Sequence, residues 1–157
     1  MGITIQVNKN FTNISFNSKR LHKLIKEVCR HFQVRNAVIE IEMVGDSAIR
    51  ELNIKFLGNR RTTDCISFDL TENNSTAKLY QIAVNAQKAR REAKKRNHSH
   101  QAELALYVLH GLLHNLGFDD KIDKNADTMH KTEDRFLQEA GYGLVYNNRQ
   151  KYIAESS

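Results

Sequence analysis

The 157-residue sequence contains no proline and no tryptophan, and it lacks any long apolar run. No stretch approaches the roughly 18 consecutive apolar residues that indicate a transmembrane helix. The N-terminal sequence MGITIQVNKN has neither the apolar core nor the cleavage site of a secretory signal. We therefore expect a cytoplasmic chain without membrane association.

Cysteine is scarce as well. Cys29 and Cys65 are the two cysteines, and they form no Cys-x-x-Cys pair. Both lie in otherwise apolar stretches, which predicts reduced side chains within a core.

Basic residues exceed acidic ones, with 24 Lys and Arg against 18 Asp and Glu and a formal net charge of +6. This excess is a mild indication of a polyanionic partner. The hydrophobic share of 40% and the charged share of 27% are ordinary for a globular chain, which excludes global disorder and a fibrous repeat. The length fits one domain.

Apolar periodicity predicts strands alternating with helices. The strand patterns cover 3–7, 37–44, 64–70 and 79–85. The helical patterns begin at an N-cap formed by Asn17 or Ser18, at Asp46, and near 87, 100 and 124. We predict an α/β (α+β) fold: a single small domain over 1–157, with an ordered core of about 3–146, in which a four-stranded mixed sheet packs with about five helices.

The segment 100–116 is apolar almost all round, so it is predicted to be the central buried helix. One polar stripe interrupts it, formed by Glu103, Tyr107, His110 and His114. Glu103 and Tyr107 are candidates for orienting the two imidazoles, or are simply interfacial.

The stretch HGLLHNLGFDD (110–120) carries the clearest chemical pattern. His110 and His114 are one helical turn apart, about 6 Å along the axis, so both imidazoles point to one side and can converge on an ion. Gly117 allows the chain to reverse, which can bring Asp120 back as a third ligand, with Asp119 as the competing carboxylate. Three protein ligands and an open fourth position are typical of a catalytic zinc site.

A His-x3-His pair alone is weak support for a metal site. Here the pair lies on a helix that is apolar elsewhere, where polar side chains are costly unless partnered. A zinc peptidase places Glu directly after the first His, whereas this chain has Gly111, so peptide hydrolysis is not expected.

HGLLHNLGFDD resembles the HGxLHLxGYDH signature of the YbeY-type endoribonucleases, a family of bacterial rRNA maturation factors. ELNIKFLGNRRTTDCISFDL (51–70) is similar to the family's ELNxxYRGxDxPTDVLSFP, and Met129 with Glu133 matches its Met-x3-Glu. The resemblance covers about 46–142. It implies a zinc-dependent, single-strand endoribonuclease of the cytosol that acts on the 3′ end of small-subunit rRNA and in ribosome quality control. It also implies partners among the small ribosomal subunit, its proteins and an assembly GTPase.

The chain departs from the family pattern at two functional positions. Asp120 stands where the family has a third His. We expect one metal ion per chain. That ion is Zn²⁺ or, because a carboxylate is a harder ligand than an imidazole, Fe²⁺ or Mn²⁺. His130 is a remote substitute for the missing imidazole, or a solvated helix residue. Leu57 stands where the family has an Arg, and Arg60 or Arg61 is a candidate for that catalytic role.

The segment 87–100 is strongly basic. It is either a solvated helical face or an RNA-binding surface that contacts phosphates, since it has few aromatic residues for base stacking. The candidate RNA-binding residues are Lys88, Arg90, Arg91, Lys94 and Lys95. A second functional hypothesis is a ribosome-associated or RNA-binding assembly factor with a degenerate or structural metal site, and a third is a metal hydrolase of a small substrate.

Overall fold

The fold is described from a computed structural model, for residues 2–11, 14–119 and 123–143. In chain order the elements are β1 (Ile3–Lys9), α1 (Ser18–His31), β2 (Ala37–Val44), α2 (Asp46–Leu57), β3 (Cys65–Asp69), β4 (Lys78–Asn85), α3 (Ala86–Lys95), α4 (His100–Asn115) and α5 (Asp123–Glu139). The predicted extent of the domain stays a prediction, because residues from 144 onward lie outside the described ranges.

The four strands form one mixed sheet in the order β1-β2-β4-β3. β2 pairs in parallel with β1 and β4, while β3 runs antiparallel to β4 at the sheet edge. The predicted fold class, a small domain with a four-stranded mixed sheet and five helices, is confirmed.

The ends of α1 and α2 are set by capping residues that can be recognised in the sequence. Asn17 is the N-cap of α1, and its side chain accepts a hydrogen bond from the backbone N–H of Arg20 at 3.0 Å. Gly58 ends α2 in the left-handed conformation, with φ 65°. The prediction that Asp46 caps α2 is wrong, because Gly45 is the N-cap and the backbone N–H of Asp46 donates to Gln87.

Helix α4 is the buried centre of the domain, as predicted, with nearly all of residues 102–113 inaccessible to solvent. Gly111 allows it to lie directly on the sheet, because a Cβ at this position would come within 2.6 Å of Cγ2 of Ile82 in β4. A smaller apolar cluster of Val44, Ile49 and Ile66 involves α2 and β3.

The two cysteines differ in their surroundings. Cys29 is fully buried, as predicted, and this burial raises the pKa of its thiol to about 11. Cys65 is half-buried rather than a core residue. Within the described ranges, no helix has the length and apolar character needed to cross a membrane.

Candidate metal site and its surroundings

His110 and His114 lie side by side on α4, as their spacing predicts. Their Nε2 atoms are 3.1 Å apart, and their ring centroids are separated by 4.6 Å. The two nitrogens therefore face one small volume.

Each imidazole is held through its other nitrogen by an acceptor that cannot donate. Nδ1–H of His110 donates to Oε2 of Glu133 at 2.8 Å, and Nδ1–H of His114 donates to the carbonyl oxygen of Phe118 at 3.0 Å. A neutral imidazole that carries its proton on Nδ1 has a lone pair on Nε2. The donor set thus fits a divalent metal ion, because ligating histidines commonly donate their second N–H to a carboxylate or backbone carbonyl.

Glu133 links two helices at this site and is fully buried. Its second oxygen, Oε1, accepts a hydrogen bond from Nδ1 of His130 at 2.7 Å. Burial by itself raises the pKa of the Glu133 carboxyl, but the hydrogen bonds from His110 and His130 outweigh it and hold that pKa below its ordinary value. Glu133 is therefore a carboxylate, and His130 is one of its partners rather than a solvated residue.

The expectation that Glu103 orients the imidazoles is wrong. Its carboxylate instead accepts from Nη1 of Arg96 at 2.6 Å and lies 3.3 Å from Nε2 of His98. Tyr107 is fully buried within α4. The residue that sequence reasoning missed in this role is Glu133, and the Met129–Glu133 motif was the signal that marked it.

The two imidazoles open onto a cavity of about 590 Å³ between α4, the C-terminal end of α2 and strand β3. Asp64 lines this cavity, and its Oδ1 accepts a hydrogen bond from Nζ of Lys88 at 2.9 Å, an ion pair that the sequence did not predict. The lining residues are Leu57, Thr63, Asp64, Cys65, Ile66, Ser67, His110 and His114.

The predicted third ligand, Asp120, lies outside the described residues. Its competitor Asp119 is exposed and lines a different cavity, together with Gly117 and Thr128. Among the described side chains, no group of three His, Cys, Asp or Glu residues is arranged to hold an ion.

Arg60 and Arg61 are exposed, in the turn that follows α2, and neither is among the residues that line the histidine cavity. The turn is fixed through its backbone, since the N–H of Arg61 donates to Asn59 and its carbonyl accepts from the buried Asn53. A catalytic role for either arginine stays a prediction.

The basic segment is not a uniform row of solvent-facing cations. Lys88 pairs with Asp64, and Nη1 of Arg91 lies 3.0 Å from a carboxylate oxygen of Asp46. The hydrogen bond from Arg91, aided by one from Asn85, holds the pKa of Asp46 below its usual range.

The other three candidates in that segment face outward. Arg90 is exposed and lies over the ring of Phe11, with 5.4 Å between its guanidinium carbon and the ring centroid. Lys94 and Lys95 are exposed near the end of α3. An RNA role for the segment therefore depends most on Lys94 and Lys95.

Comparison with known proteins agrees with this architecture. A family profile described as "Endoribonuclease YbeY" matches residues 5–141. The Endoribonuclease YbeY of Thermodesulfovibrio yellowstonii is 36% identical over 103 residues, which cover 64% of this chain and 65% of that protein. The Endoribonuclease YbeY of Syntrophus aciditrophicus is 26% identical over 153 residues, or 93% and 96% of the two chains.

A solved structure is similar as well. The solution structure of TM1509 from Thermotoga maritima matches with a TM-score of 0.58 and 26% identity, covering 87% of this chain and 89% of that one. The mixed sheet and the buried helix with its paired imidazoles define a small α/β protein, and the similar solved structure has the same overall fold. The chain belongs to the Endoribonuclease YbeY family.

Proposed function

We propose that this chain is a metal-dependent endoribonuclease that acts in rRNA maturation, with one ion held by His110, His114 and Asp120. The observation that carries the proposal is the imidazole pair, whose Nε2 atoms lie 3.1 Å apart while both Nδ1 atoms are held by acceptors. Preorganised imidazoles of this kind lower the cost of assembling a metal site.

Family membership supports the reaction class. Its members are named for endonucleolytic cleavage of RNA, which is hydrolysis of phosphodiester bonds. The further details extend the family resemblance to this chain: a cytoplasmic site of action, the 3′ end of small-subunit rRNA as substrate, and small-subunit proteins and an assembly GTPase as partners.

We assign distinct tasks to the residues around the cavity. When bound, the ion supplies Lewis acidity toward a phosphodiester oxygen or water. His110 and His114 hold it with orientations fixed by Glu133 and the Phe118 carbonyl. Asp64 is the carboxylate on the described wall, and Lys88 holds it in place, so we assign it acceptance of a proton from the attacking nucleophile.

The proposed ligand set includes a carboxylate, which constrains the metal. A site of two imidazoles and one carboxylate accepts Zn²⁺, and it also suits Fe²⁺ or Mn²⁺. We propose Zn²⁺ at one ion per chain, with the other two metals as alternatives that elemental analysis of the purified protein distinguishes.

Cleavage of a single-stranded RNA by the purified chain, with and without a chelator, tests the proposal. We expect cleavage that the chelator abolishes and that the same metal restores, and we expect none from His114→Ala. His22→Ala, on α1, is the matched control because it removes an imidazole elsewhere and should cleave normally. Equal cleavage by His114→Ala and wild type would identify a contaminating nuclease and contradict the proposal.

One observation favours a second function, an RNA-binding assembly factor with a degenerate metal site. Leu57 places an apolar side chain, 62% exposed, at the cavity where the family has an Arg. RNA binding without cleavage by the metal-loaded protein would favour this alternative, and gain of cleavage in Leu57→Arg would identify the missing group.

A further inference from the structure

The large apolar side chains that are exposed among the described residues lie on α2 and just after β3. Ile54, Phe56 and Leu57 are 46%, 53% and 62% exposed at the C-terminal end of α2. Leu70, 47% exposed, directly follows β3, the strand whose Phe68 contacts Phe56. We call these four residues the apolar rim. Exposed apolar side chains that cluster in this way mark interaction sites more often than isolated ones do.

Phe56, the aromatic residue of the rim, packs against a second aromatic ring. The ring of Phe56 meets that of Phe68 edge to face, with 5.2 Å between centroids and 68° between planes. Phe68 is half-buried and packs against the cluster of Val44, Ile49 and Ile66. Phe56 is thus in contact with Phe68 and is 53% exposed, so a planar ligand that stacks on it orders the side chain at a small entropic cost.

One cation lies beside this ring, and two more follow it closely along the chain. Nζ of Lys55 lies 5.2 Å from the centroid of Phe56, and Arg60 and Arg61 are exposed directly after α2. Within the part of the chain that the structure describes, no carboxylate pairs with either guanidinium. An aromatic face flanked by cations is the combination that binds single-stranded nucleic acid, where the ring stacks on a base and the cations contact phosphates.

The rim is also continuous with the histidine cavity. Leu57 belongs to the rim and lines the cavity that contains His110 and His114. A ligand that lies on Phe56 can therefore extend over Leu57 toward the paired imidazoles.

We propose that the apolar rim is a base-binding subsite, in which Phe56 stacks on one base of a single-stranded RNA and Arg60 and Arg61 contact the adjoining phosphates. This inference rests on the proposed function only for the choice of RNA as substrate. It gives the two arginines a binding role outside the cavity. It also places base stacking at α2 rather than in the basic segment, which has few aromatic residues.

Equilibrium binding of a fluorescently labelled oligoribonucleotide to the metal-loaded full chain tests the subsite, with the RNA checked for integrity after each titration. Phe56→Leu keeps apolar volume but removes the aromatic face, and we expect it to weaken binding about tenfold, within the range for loss of one stacked base. Its salt dependence should not change, because no phosphate contact is removed. Phe56→Trp should bind as tightly as wild type or more tightly.

Phe16→Leu is the matched control. Its ring also lies near a lysine, with 5.6 Å between Nζ of Lys9 and the ring centroid. Its neighbours Ser15 and Asn17 contact the first residues of α4, about 15 Å along the helix from His110. We expect Phe16→Leu to leave RNA affinity unchanged.

An abasic scan gives the sharpest readout. In wild type, one abasic position should weaken binding, and in Phe56→Leu that same position should cause no further loss of affinity.

Unchanged affinity of Phe56→Leu, while wild type binds and cleaves RNA, would overturn the subsite alone. Absence of RNA binding by wild type would overturn both the subsite and the proposed function. Base stacking on Phe56 without metal-dependent cleavage would support the subsite and contradict only the proposed endoribonuclease activity. If wild type is a dimer and Phe56→Leu is a monomer with unchanged RNA affinity, the rim is a self-association surface and the subsite is overturned.

Discussion

Glu133 on α5 accepts a 2.8 Å hydrogen bond from the imidazole of His110 on α4, and it does so from a fully buried position. The charge of this carboxylate raises the basicity of the imidazole and fixes its tautomer. Glu133→Gln keeps the shape but removes the charge, so we expect metal affinity to fall about 10- to 100-fold. Competition with a chromophoric chelator measures this change.

Glu139→Gln is the control for that experiment, since Glu139 lies on the same helix but is exposed and paired with Arg135. It should leave metal affinity unchanged. Wild-type affinity in a folded Glu133→Gln variant would show that the hydrogen bond between α5 and α4 has no part in metal binding.

The third ligand is tested by substitution of the two adjacent carboxylates. Asp120→Ala should weaken metal binding strongly because it removes a ligand, whereas Asp119→Ala should change it little. Asp120→His should keep or tighten Zn²⁺ binding and increase cleavage, since a site with one less negative charge leaves the ion a stronger Lewis acid. Isothermal titration calorimetry distinguishes these variants, and equal affinity in wild type and Asp120→Ala would remove Asp120 from the site.

Lys94 and Lys95 are exposed and are the clearest candidates for phosphate contacts in the basic segment. Replacement of both by Gln should weaken RNA binding at low salt and reduce the log–log salt slope by about 1.4, or about 0.7 per lost contact with single strands. The same double replacement of Lys19 and Lys26, exposed on α1, is the control and should leave the slope unchanged. Identical slopes for both variants would assign the segment to a solvated face.

Gly111 controls how closely helix α4 approaches the sheet. Gly111→Ala gains about 1 kcal/mol of helix propensity, but its Cβ meets Ile82 at 2.6 Å. Overpacking of a core costs about 1–3 kcal/mol, so we expect a net loss of stability, measured by urea unfolding. Gly2→Ala, whose Cβ would meet nothing within 4 Å, should be neutral. A Gly111→Ala variant more stable than wild type would show that the helix shifts freely on the sheet.

The features predicted from sequence depend on neighbours along the chain. The convergence of His110 and His114 follows from helical spacing, and the caps at Asn17 and Gly58 follow from side-chain chemistry and backbone freedom. The four individual strands followed from alternating or apolar stretches. These elements were predicted because each is determined within about one turn or one strand.

The features that were missed join distant residues. His110 and Glu133 are 23 positions apart, and Lys88 and Asp64 are 24 apart. Glu103 shares a helical stripe with His110, yet Arg96 and His98, between α3 and α4, contact its carboxylate instead. Periodicity shows that such a side chain is buried but not which partner meets it, because the partner is selected by packing of separate elements.

We propose above all that RNA cleavage by this chain depends on an ion held by the paired imidazoles. The most direct test is the initial rate of cleavage as metal is returned stepwise to the metal-free protein, with bound metal measured on the same samples. We expect a rate that rises in proportion to bound metal and stops rising at one ion per chain, with no response in His110→Ala. A rate that does not change between the metal-free and the fully loaded protein would contradict the proposal.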